Sequence, residues 1–188
     1  MRANSTASEV VVLSLCALAV AGTISGCASS SPRVVPPEVP TALRVPAEQT
    51  AFFEARAAGV QIYECAERAD RPGAPQWVLL SPEATLVDAS GRHAGKHYAG
   101  PTWESIDGSK VAGEARAQEP SPDLSAIAWV LLNAKSTSGT GLFAKTTSIQ
   151  RVNTKGGRTP TQPCTTQSLR QTVRVPYSAT YVFYQPAH

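Results

Sequence analysis

The pattern of apolar and polar positions changes at Gly59. Before it, residues 46–58 predict a short helix, because a proline opens the segment and a glycine follows it, as is common at helix ends. After it, short runs of β-branched and aromatic residues are separated by Gly, Pro, Asp and Ser, which is typical of strands. The predicted strands cover residues 60–67, 76–80, 84–88, 93–98, 103–106, 110–116, 126–134, 142–153, 171–175 and 179–184.

Many short strands at regular spacing predict an all-β fold, a single-domain antiparallel sandwich or barrel with one short N-terminal helix. Asp107-Gly108 has the sequence of a hairpin turn between two of these strands. No long amphipathic helix alternates with the strands in the sequence, so a parallel α/β sheet is not expected.

The first part of the chain carries a targeting pattern. The apolar run from Val10 to Ala21 is shorter than the about 20 residues that a spanning helix needs, and its length suits a signal peptide. Ile24-Ser25-Gly26-Cys27 then resembles the lipobox of bacterial lipoproteins, whose cysteine is lipidated and becomes the new N-terminus. An ordinary secretory signal with a chance cysteine is the alternative.

These patterns divide the chain into a lipoprotein signal peptide (1–26), a Pro- and Ser-rich tether (27–46) and an all-β domain (47–188). The prolines favour an extended, semi-rigid tether. Lipid chains on Cys27 would anchor the protein stably to a membrane. We expect a location in the cell envelope. In a Gram-negative cell it would be the outer membrane, facing the periplasm, because Ala28 rather than Asp follows the cysteine.

Cys65 and Cys164 are the two cysteines of the predicted domain. In an oxidising compartment such a pair is expected to form a disulfide. The alternative, a thiol nucleophile, needs a nearby base, and neither cysteine has one in its local sequence.

The charge is unevenly distributed along the chain. No Asp or Glu follows Asp123, whereas seven Lys or Arg residues do. Either the C-terminal part forms a basic face for an anionic small molecule or a glycan, or the two parts interleave in the sheet and their charges mix. Nucleic acid is not an expected partner, because the chain is exported and has no basic-aromatic motif.

From Gly59 onward the chain resembles a family of secreted bacterial and fungal proteins, the domain of unknown function DUF 3455. The resemblance covers about residues 59–185 and implies a secreted β domain to which no catalytic residue can be transferred. The segments that carry it are Gly59-Val60-Gln61-Ile62-Tyr63-Glu64-Cys65, His97-Tyr98-Ala99-Gly100-Pro101-Thr102-Trp103-Glu104, Asp107-Gly108-Ser109, Ile149-Gln150-Arg151-Val152-Asn153-Thr154, Gly156-Gly157 and Val175-Pro176-Tyr177-Ser178-Ala179.

Some fungal relatives are labelled malate dehydrogenase, and Gly139-Thr140-Gly141-Leu142-Phe143-Ala144 matches the loose dinucleotide fingerprint. That motif must open a helix and be followed about 20 residues later by an acid that binds the ribose. Residues 145–149 predict a strand instead, and no acid follows Asp123. The sequence therefore argues against a dinucleotide-dependent dehydrogenase, and we expect no cofactor.

One segment is dense in functional groups: an imidazole, a phenol, an indole and two carboxylates, from His97, Tyr98, Trp103, Glu104 and Asp107. A Gly-Pro corner bends the chain within it and could bring His97 next to Glu104 or Asp107, as in an acid–base pair. The alternative is that these residues pack, shape a turn or bond to a loop carbonyl.

Two further polar residues, Arg151 and Asn153, precede a Gly156-Gly157 turn at the end of a predicted strand. A guanidinium and an amide there suit the recognition of a carboxylate or a sugar hydroxyl, with ordinary edge polarity as the alternative. On a strand, His93 and His97 share a face but lie about 13 Å apart, so no shared metal is expected.

Three functions remain open at this point. The first is a lipid-anchored envelope protein that binds a small molecule, a glycan or a protein. Its binding candidates are His97, Tyr98, Trp103, Glu104, Asp107, Arg151 and Asn153. The second is a hydrolase that uses His97 with Glu104 or Asp107, and the third is a structural envelope component without a ligand site.

We predict that Cys27→Ser prevents lipidation and either releases the protein from membranes or blocks its maturation. Membrane fractionation and the mass of the mature protein measure both effects. Cys16→Ser, in the apolar run, is the control and should leave both unchanged. A Cys27→Ser protein that fractionates and matures like the parent would refute the lipobox interpretation.

Overall fold

The computed structural model describes Met1 and residues 33–68 and 70–187, so Cys27 and the predicted signal peptide lie outside the described residues. The described chain contains eight strands and two short 3-10 helices, at Thr41–Leu43 and Thr166–Ser168. The strands are β1 (Gln49–Arg68), β2 (Arg71–Val87), β3 (His93–Tyr98), β4 (Thr102–Ser105), β5 (Lys110–Glu119), β6 (Trp129–Ser138), β7 (Ser148–Gly156) and β8 (Thr172–Pro186).

The strands form a closed antiparallel barrel in which each strand pairs with the next one in the sequence. β8 returns to β1 and pairs with it from Gln49↔Pro186 to Glu64↔Thr172. Of the two architectures that the sequence allows, the protein therefore adopts the barrel. Because the sheet closes on itself, none of these eight strands is an edge strand.

The core fills the barrel interior. Along β1, Ala55 and Ala57 are buried in it, whereas Arg56 and Ala58 are exposed, which is the alternation of a strand with one face inside. Aromatic rings occupy the end near the β4–β5 turn: the ring centroids of Phe143 and Phe183 lie 4.6 Å apart, and Phe53 packs against both rings.

The predicted helix at residues 46–58 is wrong, because these residues enter β1 at Gln49. Ala, Glu, Gln and Arg favour a helix in isolation. Here the segment pairs with β8 from its first residue and with β2 from Arg56, and Phe53 contributes to the aromatic core. The backbone pairing and the packing of the partly buried Phe53 ring outweigh the local preference of a few tenths of a kcal/mol per residue.

Several predicted strands are parts of longer ones. Residues 76–80 and 84–87 belong to β2, which continues through Pro82, and residues 172–175 and 179–184 belong to β8, which continues through Pro176. Pro82 lies opposite Gln61 of β1 on one side, and on its other side β3 begins to pair with β2 only at Ala84, so the proline lies where β2 has a neighbour on one side only.

The Gly-rich motif at residues 139–144 lies in the connection between β6 and β7 and is followed by a strand. It does not open a helix, and its Phe143 is fully buried in the core. This segment therefore belongs to the packing of the barrel and lacks the geometry of a dinucleotide-binding turn.

Part of the predicted tether packs on the outer face of the barrel. Leu43 is almost fully buried, and its carbonyl accepts a hydrogen bond of 2.6 Å from Gln150 Nε2 on β7. Val34 and Val45 pack against a small apolar cluster of Ala51, Val182 and Tyr184. From Val34 onward, the segment before β1 is therefore held on the barrel surface.

The order of the strands shows where the acid-free part of the chain lies in the barrel. Because the strands follow the order of the sequence around the barrel, β6, β7 and β8 are neighbours. The strands of the acid-free part therefore do not interleave with the others, but charges of the two parts meet across β1, which pairs with both β8 and β2: Arg174 Nη2 lies 2.9 Å from Glu83 Oε2. Within the described residues, no helix is long and apolar enough to cross a membrane.

The predicted disulfide between Cys65 and Cys164 is confirmed. It joins β1 to the β7–β8 connection, which also bonds β1 through Cys65 N–H to Gln171 O and Arg170 N–H to Cys65 O. Trp77 on β2 donates to Gln162 O in the same connection. These contacts hold a long loop against the β1–β2 hairpin at one end of the barrel.

We predict that replacing both cysteines by serine lowers the melting temperature. The bond closes a loop with a sequence separation of 99 residues, and the entropy of such a loop corresponds to about 4–5 kcal/mol. For a domain of this size that is roughly 10–20 °C, measured by thermal unfolding.

A reducing agent should destabilise the parent by a similar amount and have no effect on the double variant, which is its control. Two freely titrating thiols in the unreduced, purified parent would contradict the bond.

Candidate functional site: a cavity at one end of the barrel

A cavity of about 300 Å³ opens into the barrel at the end formed by the β3–β4 and β5–β6 turns. It runs from fully buried side chains such as Trp103 to the exposed Leu79 and Leu80 on β2. The lining residues are Gln61, Leu79, Leu80, Ser81, Pro82, His97, Gly100, Pro101, Trp103, Ala115, Gln118, Val130, Leu132, Arg151 and Tyr181. The interior is thus packed at one end and hollow at the other.

Three aromatic rings form a group in this cavity. His97 and Trp103 face each other across the β3–β4 pair, so both side chains point to the same side of the sheet. Their rings stack with centroids 4.3 Å apart, and the Tyr181 ring meets His97 and Trp103 edge-on at 5.1 and 5.2 Å. The Gly-Pro corner at 100–101 makes this possible because it closes a short hairpin.

Gly113 on β5 gives the indole its space. A Cβ atom at this position would lie 3.0 Å from Trp103 Cζ3 and 3.1 Å from Leu132 Cδ2. Both contacts are tighter than ordinary van der Waals packing, so a side chain at Gly113 would push the indole or the leucine away. Trp103 also meets Phe183 edge-on at 6.1 Å, and it therefore links the cavity to the aromatic core.

His97 is 98% buried, and its Nδ1 lies 2.9 Å from the carbonyl oxygen of Thr102. Burial lowers the pKa of His97 from 6.5 to about 3, opposed by the Thr102 carbonyl and supported by the Arg151 charge. The imidazole is therefore neutral at physiological pH. Since a carbonyl only accepts, the single ring proton sits on Nδ1, and Nε2 is left as an acceptor.

Arg151 supplies the charge of the cavity. It lies on β7 opposite Val130 and Tyr181, whose side chains are buried inside the barrel. Its Nε and Nη2 donate to the carbonyl of Ala128 at 3.2 and 2.9 Å. Within residues 33–68 and 70–187, no carboxylate forms an ion pair with this guanidinium.

Two buried nitrogens on cavity residues have no hydrogen-bond partner: Gln61 Nε2 and Trp103 Nε1. Gln61 and Trp103 are 98% and 99% buried. Nearly all buried polar atoms in folded proteins are paired, and an unpaired one costs about 1–3 kcal/mol. Both atoms belong to residues that line the cavity together with Arg151, so the cavity contains donors that the described residues leave without acceptors.

Of the seven residues predicted as binding candidates, the structure brings His97, Trp103 and Arg151 together in this cavity. Tyr98 and Glu104 lie on the outer face of the sheet, where the Tyr98 hydroxyl donates to Glu104 Oε2 at 2.8 Å. Glu104 also pairs with Lys96 and Lys110 at 3.5 and 3.4 Å. His97 and Glu104 thus occupy opposite faces and form no acid–base pair.

Asp107 lies at the other end of β4, away from the cavity. Its Oδ1 accepts hydrogen bonds from the backbone and hydroxyl of Ser109, and its Oδ2 accepts one from Leu142 N–H. The Ser109 hydroxyl and the Leu142 amide lower the pKa of Asp107 to about 2. This carboxylate joins two turns at the closed end of the barrel.

Asn153 also points away from the cavity, because β7 has an irregularity between Val152 and Lys155. Asn153 adopts a φ of 51° and is exposed, whereas the next residue, Thr154, is buried and donates to Ile127 O. The irregularity shifts the alternation by one residue, so Asn153 loses the inward position that its spacing from Arg151 predicts.

The sequence analysis missed Gln61 and Tyr181 as cavity residues. Both lie in predicted strands, and each alternates with outward residues as an inward position should. The signal in the sequence was Gln61, a polar residue at the same alternating position as Ala55, Ala57 and the buried Tyr63. The helix predicted for residues 46–58 concealed this alternation.

An open groove adjoins the cavity and shares Gln118 and Arg151 with it. Arg158, Asp123 and Tyr63 line this groove, and Arg158 donates to the carbonyl of Leu124. Within the described residues, no group of three or more His, Cys, Asp or Glu side chains is arranged to hold a metal ion.

We predict that stability falls as the pH drops below about 6.5, with His97 as a cause. The unfolded chain takes up a proton near 6.5, whereas the folded His97 does so only near 3, so acid favours unfolding in this window. The loss is at most about 1.4 kcal/mol per pH unit. Urea unfolding at pH 7, 6 and 5 measures it.

His97→Asn keeps a donor for the Thr102 carbonyl but cannot titrate, so it should flatten this dependence. His93→Asn, at an exposed position on the same strand, is the matched control. An equally steep dependence in the His97 variant would exclude His97 as its source.

A match to a known protein family covers nearly the whole barrel. The model of the family described as "Protein of unknown function (DUF3455)" matches residues 46–185, which include every strand from β1 to Gln185 in β8. No curated protein and no solved structure matches the chain. The match spans well over half of the sequence, so the chain belongs to the DUF3455 family.

Proposed function

We propose that this protein binds a small organic molecule in the barrel cavity, as a lipid-anchored component of the cell envelope. The observation that carries the binding function is the pair of buried, unpartnered nitrogens on Gln61 and Trp103, both cavity residues. A ligand with oxygen acceptors would recover the free energy that these groups lose on burial.

The shape of the cavity supports a small ligand. A volume of about 300 Å³ is at the lower end of the range for small-molecule sites. Rings and aliphatic side chains form most of its wall, with a few convergent polar groups, which is the usual composition of such sites. A glycan chain or a protein partner would have to bind outside it.

A hydrolase has less support. The proposed acid–base pair needs His97 beside a carboxylate. Its Nδ1 is instead bonded to the Thr102 carbonyl, while Glu104 is engaged on the outer face and Asp107 at the far end of β4. A purely structural role has less support as well, because it gives no reason for a cavity at one end of the barrel.

The location in the envelope rests on the lipobox pattern at Cys27 and on the disulfide. Disulfides form and persist in oxidising compartments, so the Cys65–Cys164 bond supports export from the cytoplasm. We propose lipid chains on Cys27 as the membrane attachment, with the outer membrane as the address in a Gram-negative cell.

A cavity-filling variant tests the binding function. Ala115 lines the cavity and is exposed within its mouth, so Ala115→Phe should fill the site without disturbing the core. We expect the parent, incubated with small molecules extracted from a bacterial culture, to give a one-to-one adduct in native mass spectrometry. Ala115→Phe should reduce this adduct by about tenfold or more, since overlapping volume cannot be accommodated in a packed site.

Ala58→Phe is the matched control, because Ala58 is exposed on the outer side of β1. It should keep the adduct. If the parent forms none, or if both variants retain it equally, the cavity is not the binding site.

A further inference from the structure

We propose that the ligand is a small monocarboxylate with one ring or a short branched body and an O–H or N–H donor. Its carboxylate would bind Arg151, and its donor would bind Nε2 of His97. This inference rests on the proposed function and specifies its ligand.

The first step is the sign of the charge. Arg151 is the one ionised side chain among the residues that line the cavity, which include no Asp, Glu or Lys. Its guanidinium remains protonated in proteins. It is half-buried, and a charge removed from water needs a partner of opposite sign. Within the described residues the chain supplies none, so an anionic ligand fits this position.

The second step is the geometry of the cation. A guanidinium has five N–H donors, of which Arg151 uses two for the Ala128 carbonyl. The remaining N–H groups can donate to both oxygens of a carboxylate in parallel. The Ala128 contact fixes the orientation of the fork, so less side-chain freedom is lost when the anion binds.

The third step is the number of charges. One guanidinium balances one negative charge, and a second negative charge in the cavity would remain without a partner. The neighbouring Arg158 lines the groove rather than the cavity, and Asp123 lies in that groove with it. A monoanion therefore fits better than a dicarboxylate or a phosphate ester.

The fourth step concerns the neutral part of the ligand. The stacked His97 and Trp103 rings and the aliphatic Val130 and Leu132 offer an apolar surface for a ring or a branched chain. His97 Nε2 has no partner among the described residues, and it is an acceptor because the ring proton is held at the Thr102 carbonyl. A hydroxyl or an N–H on the ligand would satisfy it.

Titration calorimetry with a matched set of compounds tests this inference on the whole protein. The set contains the three hydroxybenzoates, benzoate, the three neutral hydroxybenzyl alcohols, and the dianion phthalate. We expect at least one hydroxybenzoate to bind roughly tenfold or more tightly than its alcohol, benzoate and phthalate, as charged hydrogen bonds do.

Arg151→Gln should remove the preference for the acid over the alcohol. Arg158→Gln should keep it, because Arg158 also donates to a loop carbonyl but lies outside the cavity. His97→Asn should remove the preference for hydroxybenzoate over benzoate. If Arg151→Gln does not fold, the comparison of acid with alcohol in the parent still decides the role of charge.

The outcomes separate the two proposals. Alcohols that bind as tightly as acids overturn the anionic ligand but leave the cavity as a binding site, and tighter binding of phthalate overturns the single charge. Equal affinity for benzoate and every hydroxybenzoate overturns the donor. If no compound shows saturable binding that Ala115→Phe abolishes, both the ligand class and the proposed function fail.

Discussion

The barrel closes through the pairing of β8 with β1. It joins the beginning and the end of the domain, and it turns a strand meander into an enclosed interior. The aromatic core at one end and the cavity at the other exist only as parts of that interior. Because β1 and β8 lie far apart in the sequence, local conformational preferences cannot establish their pairing.

Trp103 lies between the packed end and the hollow end of the interior. Its edge-on contact with Phe183 belongs to the packed end, and its stack with His97 belongs to the hollow end. The same residue thus supports the core and forms part of the wall of the cavity. A ligand in contact with this ring would meet a surface that the core holds rigid, which favours a preorganised site.

Local signals predicted much of the fold but only part of the site. The strands after Gly59, the Asp107-Gly108 turn and the Cys65–Cys164 bond depend on nearby residues or on a single pair. The start of β1 depends on pairing with β8, which a helix-favouring segment does not reveal. The chemistry of Arg151 and His97 made them candidates, but they lie in one cavity only because the barrel closes. Asn153 points away from the cavity because of a strand irregularity, which the sequence does not show.

The packing of Val34 and Leu43 on the barrel would limit the distance between the domain and a bilayer if Cys27 carried a lipid anchor. Only six peptide steps separate Cys27 from Arg33, where the described domain begins, and such a stretch spans at most about 20 Å. In a protein lipidated at Cys27, this short stretch would keep Arg33 close to the bilayer. Val34 packs beside Ala51 in the first part of β1, whereas the cavity is lined by Gln61, ten residues further along the same strand, so the attachment point and the cavity belong to different ends of the barrel.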